Sequence, residues 1–177
     1  MAQLQGSTQQ RSMVTGMFRD RDNAERAYNT LSSRGYTERD VNLAMSEDTR
    51  KRHFGDHDTE LGNKAAEGAG VGGAIGATAG AIAAALATVG TSLAIPGLGL
   101  VIAGPAVAAL AGAGAGGVTG GLIGALVGWG IPEERVKHYE EGIKQGGIVM
   151  GVTPRSDEDA EYIEREWKNH RGEHVYR

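Results

Sequence analysis

Histidine and aspartate side chains that could bind a metal ion lie close together in one polar stretch of the chain. They are His53, Asp56, His57 and Asp58. The two histidines are four residues apart, a spacing that places both on one side of a helix, and imidazole and carboxylate groups are common zinc ligands. Gly55 interrupts the stretch and its surroundings are charged, so we interpret it as a solvated linker and predict no metal site.

Two further groups near the C-terminus could support chemistry. His170 and His174 could bind a metal weakly, but surface histidines are the simpler interpretation. Six carboxylates crowd the start and outer face of a predicted helix: Asp157, Glu158, Asp159, Glu161, Glu164 and Glu166. Acidic side chains are favourable in the first turn of a helix, so we predict a solvated surface and no acid/base pair.

Motifs of catalysis and nucleotide binding are missing from the sequence. It contains no cysteine, which excludes thiolate nucleophiles and disulfides. Its glycine-rich stretches are not followed by Gly-Lys-Ser/Thr, and there is no Gly-x-Ser-x-Gly turn. The net charge is −4 and no basic stripe is present, which disfavours a nucleic-acid partner. We therefore expect a protein that is not an enzyme, with no cofactor.

An uncharged insertion divides two charged flanks. Most of the 29 glycines lie between Ala65 and Ile131, and no charged residue occurs between Gly68 and Pro132. The sequence predicts four regions: a disordered tail (1–12), the first half of an α/β domain with a linker (13–63), a glycine-zipper helical hairpin (64–131), and a connecting helix with the second half of the domain (132–177).

Two glycine ladders dominate this insertion. They comprise Gly68, Gly72, Gly76 and Gly80, and then Gly112, Gly116, Gly120, Gly124 and Gly128. A spacing of four places each ladder on one side of a helix and exposes a groove of bare backbone that another helix can enter. Glycine in a helix costs about 1 kcal/mol relative to alanine. Close helix packing must offset that cost, so we predict that the ladders mediate oligomerisation.

Membrane insertion of this hairpin is marginal on energetic grounds. Helices over 64–89 and 105–129 would each be about 35–40 Å long, enough to cross a hydrocarbon core of ~30 Å. Few Leu, Ile or Val residues occur in either helix, and each contributes only about −0.3 to −0.6 kcal/mol. Trp129, at the end of the second helix, is either an interface anchor or the cap of a buried core.

The most apolar stretch of the chain falls where the hairpin must turn. Its residues are Leu93, Ile95, Pro96, Gly97, Leu98, Leu100 and Ile102. We expect this hairpin tip to be buried in the bilayer or among other subunits, because irregular backbone in lipid is tolerated only where protein covers it.

Each flank has the pattern of a β-α-β unit. In the first, Met13–Phe18 predicts a strand, and Asp22 with Glu25 predicts a capping box at the start of a helix. The alternation at 41–45 predicts a half-buried strand, and the charged stretch 46–63 that follows is interpreted as a linker or an exposed turn. In the second, a helix after Pro132 joins the insertion to the sheet. A strand at 148–152, a helix capped by Ser156 and an edge strand at 174–176 follow. The predicted fold is α+β, a ferredoxin-like sandwich of two β-α-β units interrupted by the Gly/Ala-rich hairpin.

These patterns together resemble the bacterial general stress protein family with a glycine-zipper segment. The resemblance lies in the runs Val14-Thr15-Gly16-Met17-Phe18 and Asn23-Ala24-Glu25-Arg26-Ala27, in Leu31 and Gly35-Tyr36, and in the ladders. It implies stress-linked expression and no known enzymatic chemistry.

Two functions fit these expectations. In the first, a homo-oligomer forms through the zipper helices and is associated with or embedded in a membrane, on the cytoplasmic side of the inner membrane. In the second, a large cytoplasmic ring or shell encloses a lipophilic ligand such as lipid or quinone within its apolar hairpins.

Overall fold

A computed structural model describes residues 12–55, 82, 86, 93–95, 99–105, 107 and 121–177. The elements in chain order are β1 (Val14–Phe18), α1 (Arg21–Ser33), β2 (Val41–Ser46), α2 (Glu47–Phe54), β3 (Leu93–Ile95), β4 (Leu100–Ala103), α3 (Gly121–Gly128), α4 (Glu133–Lys144), β5 (Ile148–Val152), α5 (Asp157–Asn169) and β6 (Glu173–Tyr176). The predicted α+β class is confirmed.

One antiparallel sheet of six strands organises these elements, in the order β3-β4-β2-β5-β1-β6. Strand β5, from the second flank, lies between β1 and β2, both from the first flank. Val152 is aligned with Val14 on one side and with Val41 on the other. The two flanks of the insertion therefore form a single sheet. The predicted strand at the C-terminus is confirmed as an edge strand.

Side chains alternate between the two faces of this sheet and build a separate core on each. On β5, Ile148 and Met150 join the core beneath α1 and α5, which we call face one. Val149 points the other way and joins the core beneath α3 and α4, which we call face two. The expectation that β2 is half-buried is wrong, because helices cover both faces. Helix α4 does more than join the insertion to the sheet, since Val136 and Tyr139 fill face two.

Helix starts follow local hydrogen-bonding chemistry. The Ser156 side chain accepts a hydrogen bond from the Asp159 backbone N–H at 3.0 Å, which confirms the predicted cap of α5. The cap predicted at Asp22 is wrong by two residues: the carboxylate of Asp20 accepts from Asn23 N–H at 2.8 Å. Asp20 has the extended backbone of a cap residue, whereas Asp22 already lies in the first turn.

The beginning of the predicted linker is a helix. Ser46 caps α2 by accepting from Thr49 N–H at 3.1 Å, and Phe54 is buried at its end. Acidic residues occupy its first turn and basic residues its last, an order that the helix dipole favours. The linker prediction is therefore wrong for residues 47–54, and residues 56–63 of the predicted linker lie outside the described residues.

A polar network joins the two flanks at one end of face one. The Tyr36 hydroxyl donates to Asp159 at 2.8 Å and accepts from the Arg155 backbone N–H at 2.8 Å. The Arg155 guanidinium in turn lies 3.2 Å from the Asp40 carboxylate. Burial opposes ionisation of Asp40, yet hydrogen bonds from Thr37 and the charge of Arg155 hold the pKa of Asp40 below its usual value.

Candidate functional site

The predicted hairpin tip is part of the sheet. Strands β3 and β4 form a β-hairpin, and β4 pairs with β2 so that Leu100 is opposite Ser46. Leu100 and Ile102 are buried in the face-two core. The expectation that the tip is buried in the bilayer or among other subunits is wrong for Leu100 and Ile102, because β4 pairs with β2 and both side chains lie in the core of the same chain. Pro96, Gly97 and Leu98, and the side chains of Leu93 and Ile95, lie outside the described part.

The insertion also contributes to face one. Ile82 and Leu86 are helical and four residues apart, and both are buried in the core beneath α1. The backbone N–H of Ile82 donates to the Glu25 carboxylate at 3.2 Å. Apolar residues that the sequence assigned to the zipper are therefore core residues of the domain.

The glycine ladders are described only at their C-terminal end, where α3 confirms a helix over Gly124 and Gly128. The ladder residues Gly68, Gly72, Gly76, Gly80, Gly112, Gly116 and Gly120 lie outside the described residues. Leu126 points into face two, whereas Val127 is 44% exposed, Gly128 is exposed and Gly124 is half-buried. Helix α3 has no charged residue. Its outer side is thus a narrow apolar surface with bare backbone, which we call the α3 surface.

Within the described ranges, no helix has the length and apolar character needed to cross a membrane. Over the same ranges, no three His, Cys, Asp or Glu side chains are grouped so that they could hold a metal ion. His174 stacks on His138 with a centroid distance of 4.6 Å, and His170 is the C-cap residue of α5. His53 lies on α2, and the rest of its predicted cluster lies outside the described residues.

A pocket of about 610 Å³ opens on face two, beside the turn between α3 and α4. Its lining comes from four separate segments: Ser12, Met13, Thr15, Trp129, Gly130, Ile131, Pro132, Arg135, Thr153 and Arg177. Sequence reasoning did not find this pocket. No motif marks it, because tertiary contacts alone bring the four segments together.

Trp129 forms an apolar wall of the pocket. It is 5% exposed and packs on β5, where a Cβ added to Gly151 would lie 3.4 Å from its ring. The structure therefore supports the interpretation of Trp129 as the cap of a buried core. Its Nε1 is buried and has no hydrogen-bond partner among the residues that are described.

A second polar arrangement includes Thr15, which lines the pocket. The Tyr139 hydroxyl lies 2.6 Å from the carbonyl oxygen of His174 and 2.9 Å from the Thr15 hydroxyl. The carbonyl can only accept, so Tyr139 donates to it and the Thr15 hydroxyl donates to Tyr139. Burial raises the pKa of Tyr139. The neutral phenol therefore links α4 to β1 and to β6.

Comparison with known proteins adds no further assignment: no family model, curated protein sequence or solved structure matches this chain.

Proposed function

We propose that this protein is a non-enzymatic stress-response protein that assembles with copies of itself through its glycine-ladder helices. The observation that carries the proposal is the α3 surface. Val127 is the one large apolar side chain of the described residues that is strongly exposed, and it lies beside the exposed backbone of Gly128. A second helix placed there would cover Val127 and approach the backbone closely.

The scaffold for this assembly is a ferredoxin-like sandwich with additions. Taken without β3 and β4, the strands run β6-β1-β5-β2, which in chain order is 4-1-3-2. Helices α1 and α5 follow the first and third of these four strands and both pack on face one. This supports the β-α-β plus β-α-β arrangement of the flanks.

The two settings for the assembly differ in what covers the apolar insertion. In one, the ladder helices associate at or within the inner membrane. Burial of Leu100 and Ile102 by the domain itself favours the other setting, a water-soluble cytoplasmic oligomer whose insertions pack together and enclose a lipophile.

The decisive measurement is the mass of the native particle by light scattering after fractionation without detergent. We expect the wild-type protein to form a multimer of the 18.4 kDa chain. Gly128→Leu fills the groove of the α3 surface, so it should release monomers and dimers. Asn29→Leu adds the same side chain at an exposed position of α1, on the opposite face of the sheet, and should leave the mass unchanged.

Either of two results would contradict self-assembly through this surface: a wild-type protein that is monomeric at micromolar concentration, or a Gly128→Leu particle of wild-type mass. Sedimentation of the wild-type protein with membranes would assign the first setting. Recovery of a large soluble particle would assign the second, and solvent extraction of that particle tests for an enclosed lipophile.

A further inference from the structure

Four planar side chains form a continuous row between α4 and the edge strand β6. The Arg135 guanidinium lies over the Tyr176 ring, 4.3 Å from its centroid. Tyr176 stacks on His174 with ring centroids 6.3 Å apart. His174 stacks in turn on His138, with centroids 4.6 Å apart and ring planes only 11° from parallel. We call this row the α4–β6 stack. Both of its histidines are exposed, so protons from solvent can reach them.

Strand β6 depends on this stack more than an inner strand would. Among the described strands it pairs with β1 alone, and the register shifts between Thr15 and Met17. His174 has a φ of 50°, an uncommon conformation that persists where surrounding contacts hold it. Two contacts from α4 do so: the ring of His138 and the Tyr139 hydroxyl, which donates to the His174 carbonyl at 2.6 Å. Helix α4 therefore holds the middle of β6.

The charged groups on the strand side of the stack are paired with one another. On β6, Glu173 forms an ion pair with Arg19 at 2.9 Å. Arg177, which follows β6, pairs with Glu164 of α5 at 2.8 Å, and its main-chain oxygen accepts from Arg135 at 3.4 Å. Strand β1 has no titratable side chain. Neither of these two carboxylates forms an ion pair with a histidine of the stack.

The helix side supplies no counter-charge either. On α4, Glu134 and Glu141 lie four residues before and three residues after His138, and Lys137 precedes it. Glu134 is exposed, and Glu141 accepts a hydrogen bond from Gln145 at 3.3 Å. Within the described structure, neither carboxylate forms an ion pair with His138. The two stacked imidazoles thus lie against each other without a carboxylate partner.

Acid changes the charge of this pair. Histidine takes up a proton between about pH 8 and pH 5. One proton is compatible with the stacked geometry, because a cation can lie against an aromatic ring. Protonation of both rings places two positive charges in rings whose centroids are 4.6 Å apart. Their repulsion is appreciable at that separation even in water, and it is relieved when β6 moves away from α4.

We propose that the α4–β6 stack is a pH-sensitive switch, in which protonation of both His138 and His174 releases β6 from α4. The contact stabilises β6 at neutral pH and is lost as the pH falls, because the released strand accommodates the second proton. Release exposes the edge of β1, whose backbone N–H and C=O groups β6 covers in the closed state. The switch lies within one chain and does not depend on self-assembly.

Amide hydrogen exchange followed by NMR tests the switch in the full chain. Each rate is divided by the intrinsic rate at the same pH, and ring resonances show when the two histidines are protonated. Between pH 7.5 and pH 5, protection of residues 173–176 should fall at least about fivefold, the factor for two unit charges at this separation in water. Protection of β5, in the middle of the sheet, should stay unchanged. Added salt at 1 M should reduce the effect, because it screens the repulsion.

Three variants separate charge from stacking. His138→Phe keeps an aromatic ring against His174 but cannot take up a proton, so β6 should be as well protected at pH 5 as at pH 7.5. His174→Asn also removes the charge, with a residue that tolerates a positive φ, and should likewise abolish the acid effect. His53→Phe makes the same substitution on α2 and should keep the full effect.

The proposal is overturned if β6 keeps its protection at pH 5 in the wild-type protein, or if β5 loses protection by the same factor. It is equally overturned if His138→Phe and His174→Asn lose protection in acid as the wild type does. Repeating the comparison with Gly128→Leu distinguishes this result from the assembly state, because the stack should persist in a dispersed chain.

Discussion

Two tryptophans, one on each face of the sheet, differ in their hydrogen bonding and in how closely the surrounding residues enclose them. Trp167 packs on Gly16 of β1 in face one, is fully buried, and donates its Nε1 hydrogen to the Ala27 carbonyl at 3.3 Å. Trp129 packs on Gly151 of β5 in face two, beside a pocket, with no partner for its Nε1 in the described structure. Face one is built chiefly by the charged flanks, and its tryptophan has a hydrogen-bond partner. Face two receives α3 from the insertion, and it has the open pocket and the exposed Val127.

Truncation of these two rings should give the largest difference between the faces. We expect Trp167→Ala to lower the free energy of unfolding by about 3–5 kcal/mol, because it leaves a cavity in a closed core. Trp129→Ala should cost less, about 2 kcal/mol, since the space that it leaves adjoins a pocket that water can enter. Urea unfolding followed by circular dichroism measures both. Equal losses would show that face two is as tightly closed as face one.

Replacement by phenylalanine isolates the indole hydrogen bond. Trp167→Phe and Trp129→Phe remove similar volume, but only the first removes a hydrogen bond that the structure shows. We expect Trp167→Phe to be the more destabilising by about 1 kcal/mol, the usual net contribution of such a bond. Thermal and urea unfolding would measure the difference. A larger loss for Trp129→Phe would mean that its Nε1 has a partner beyond the described residues.

The polar network that closes face one predicts a smaller, pH-dependent effect. The pKa of Asp40 is lowered in the folded protein, so its contribution to stability is present above about pH 4, the usual aspartate value. That contribution is lost as the pH falls through the lowered pKa. Asp40→Asn should therefore reduce the loss of thermal stability between pH 5 and pH 2.5, and Arg155→Gln should reduce it in part. If both variants follow the wild-type pH curve, the ion pair does not stabilise the fold.

Much of the flanking domain could be predicted, because its signals are local. The alternation in β2 and β5, the Ser156 cap and the buried stripe of α5 are each set by residues within a few positions of one another. The predictions failed where one local pattern of apolar residues was compatible with two different structures. Leu100 and Ile102 suit a buried helical turn and a buried strand equally well, and β4 forms because β2 presents an unpaired edge to it.

The same distinction between local and long-range signals applies to the α3 surface and to the pocket. The four-residue glycine spacing predicted the helix that presents Gly124 and Gly128, although the outward direction of Val127 depends on how Leu126 packs on face two. The pocket could not be predicted at all. Thr15, Arg135 and Arg177 are far apart in the sequence, and each has an ordinary local context.

The sequence by itself determined an α+β domain whose two charged, amphipathic flanks lie on either side of an uncharged glycine-rich insertion. This was possible because hydrophobic periodicity and helix caps depend on residues only a few positions apart. The tertiary structure alone decided that the insertion supplies strands to the sheet and apolar side chains to both cores. It also decided that Arg135 and Trp129 share a pocket. These outcomes depend on pairing and packing between distant segments, where burial of a whole face selects one arrangement among several that are locally equivalent.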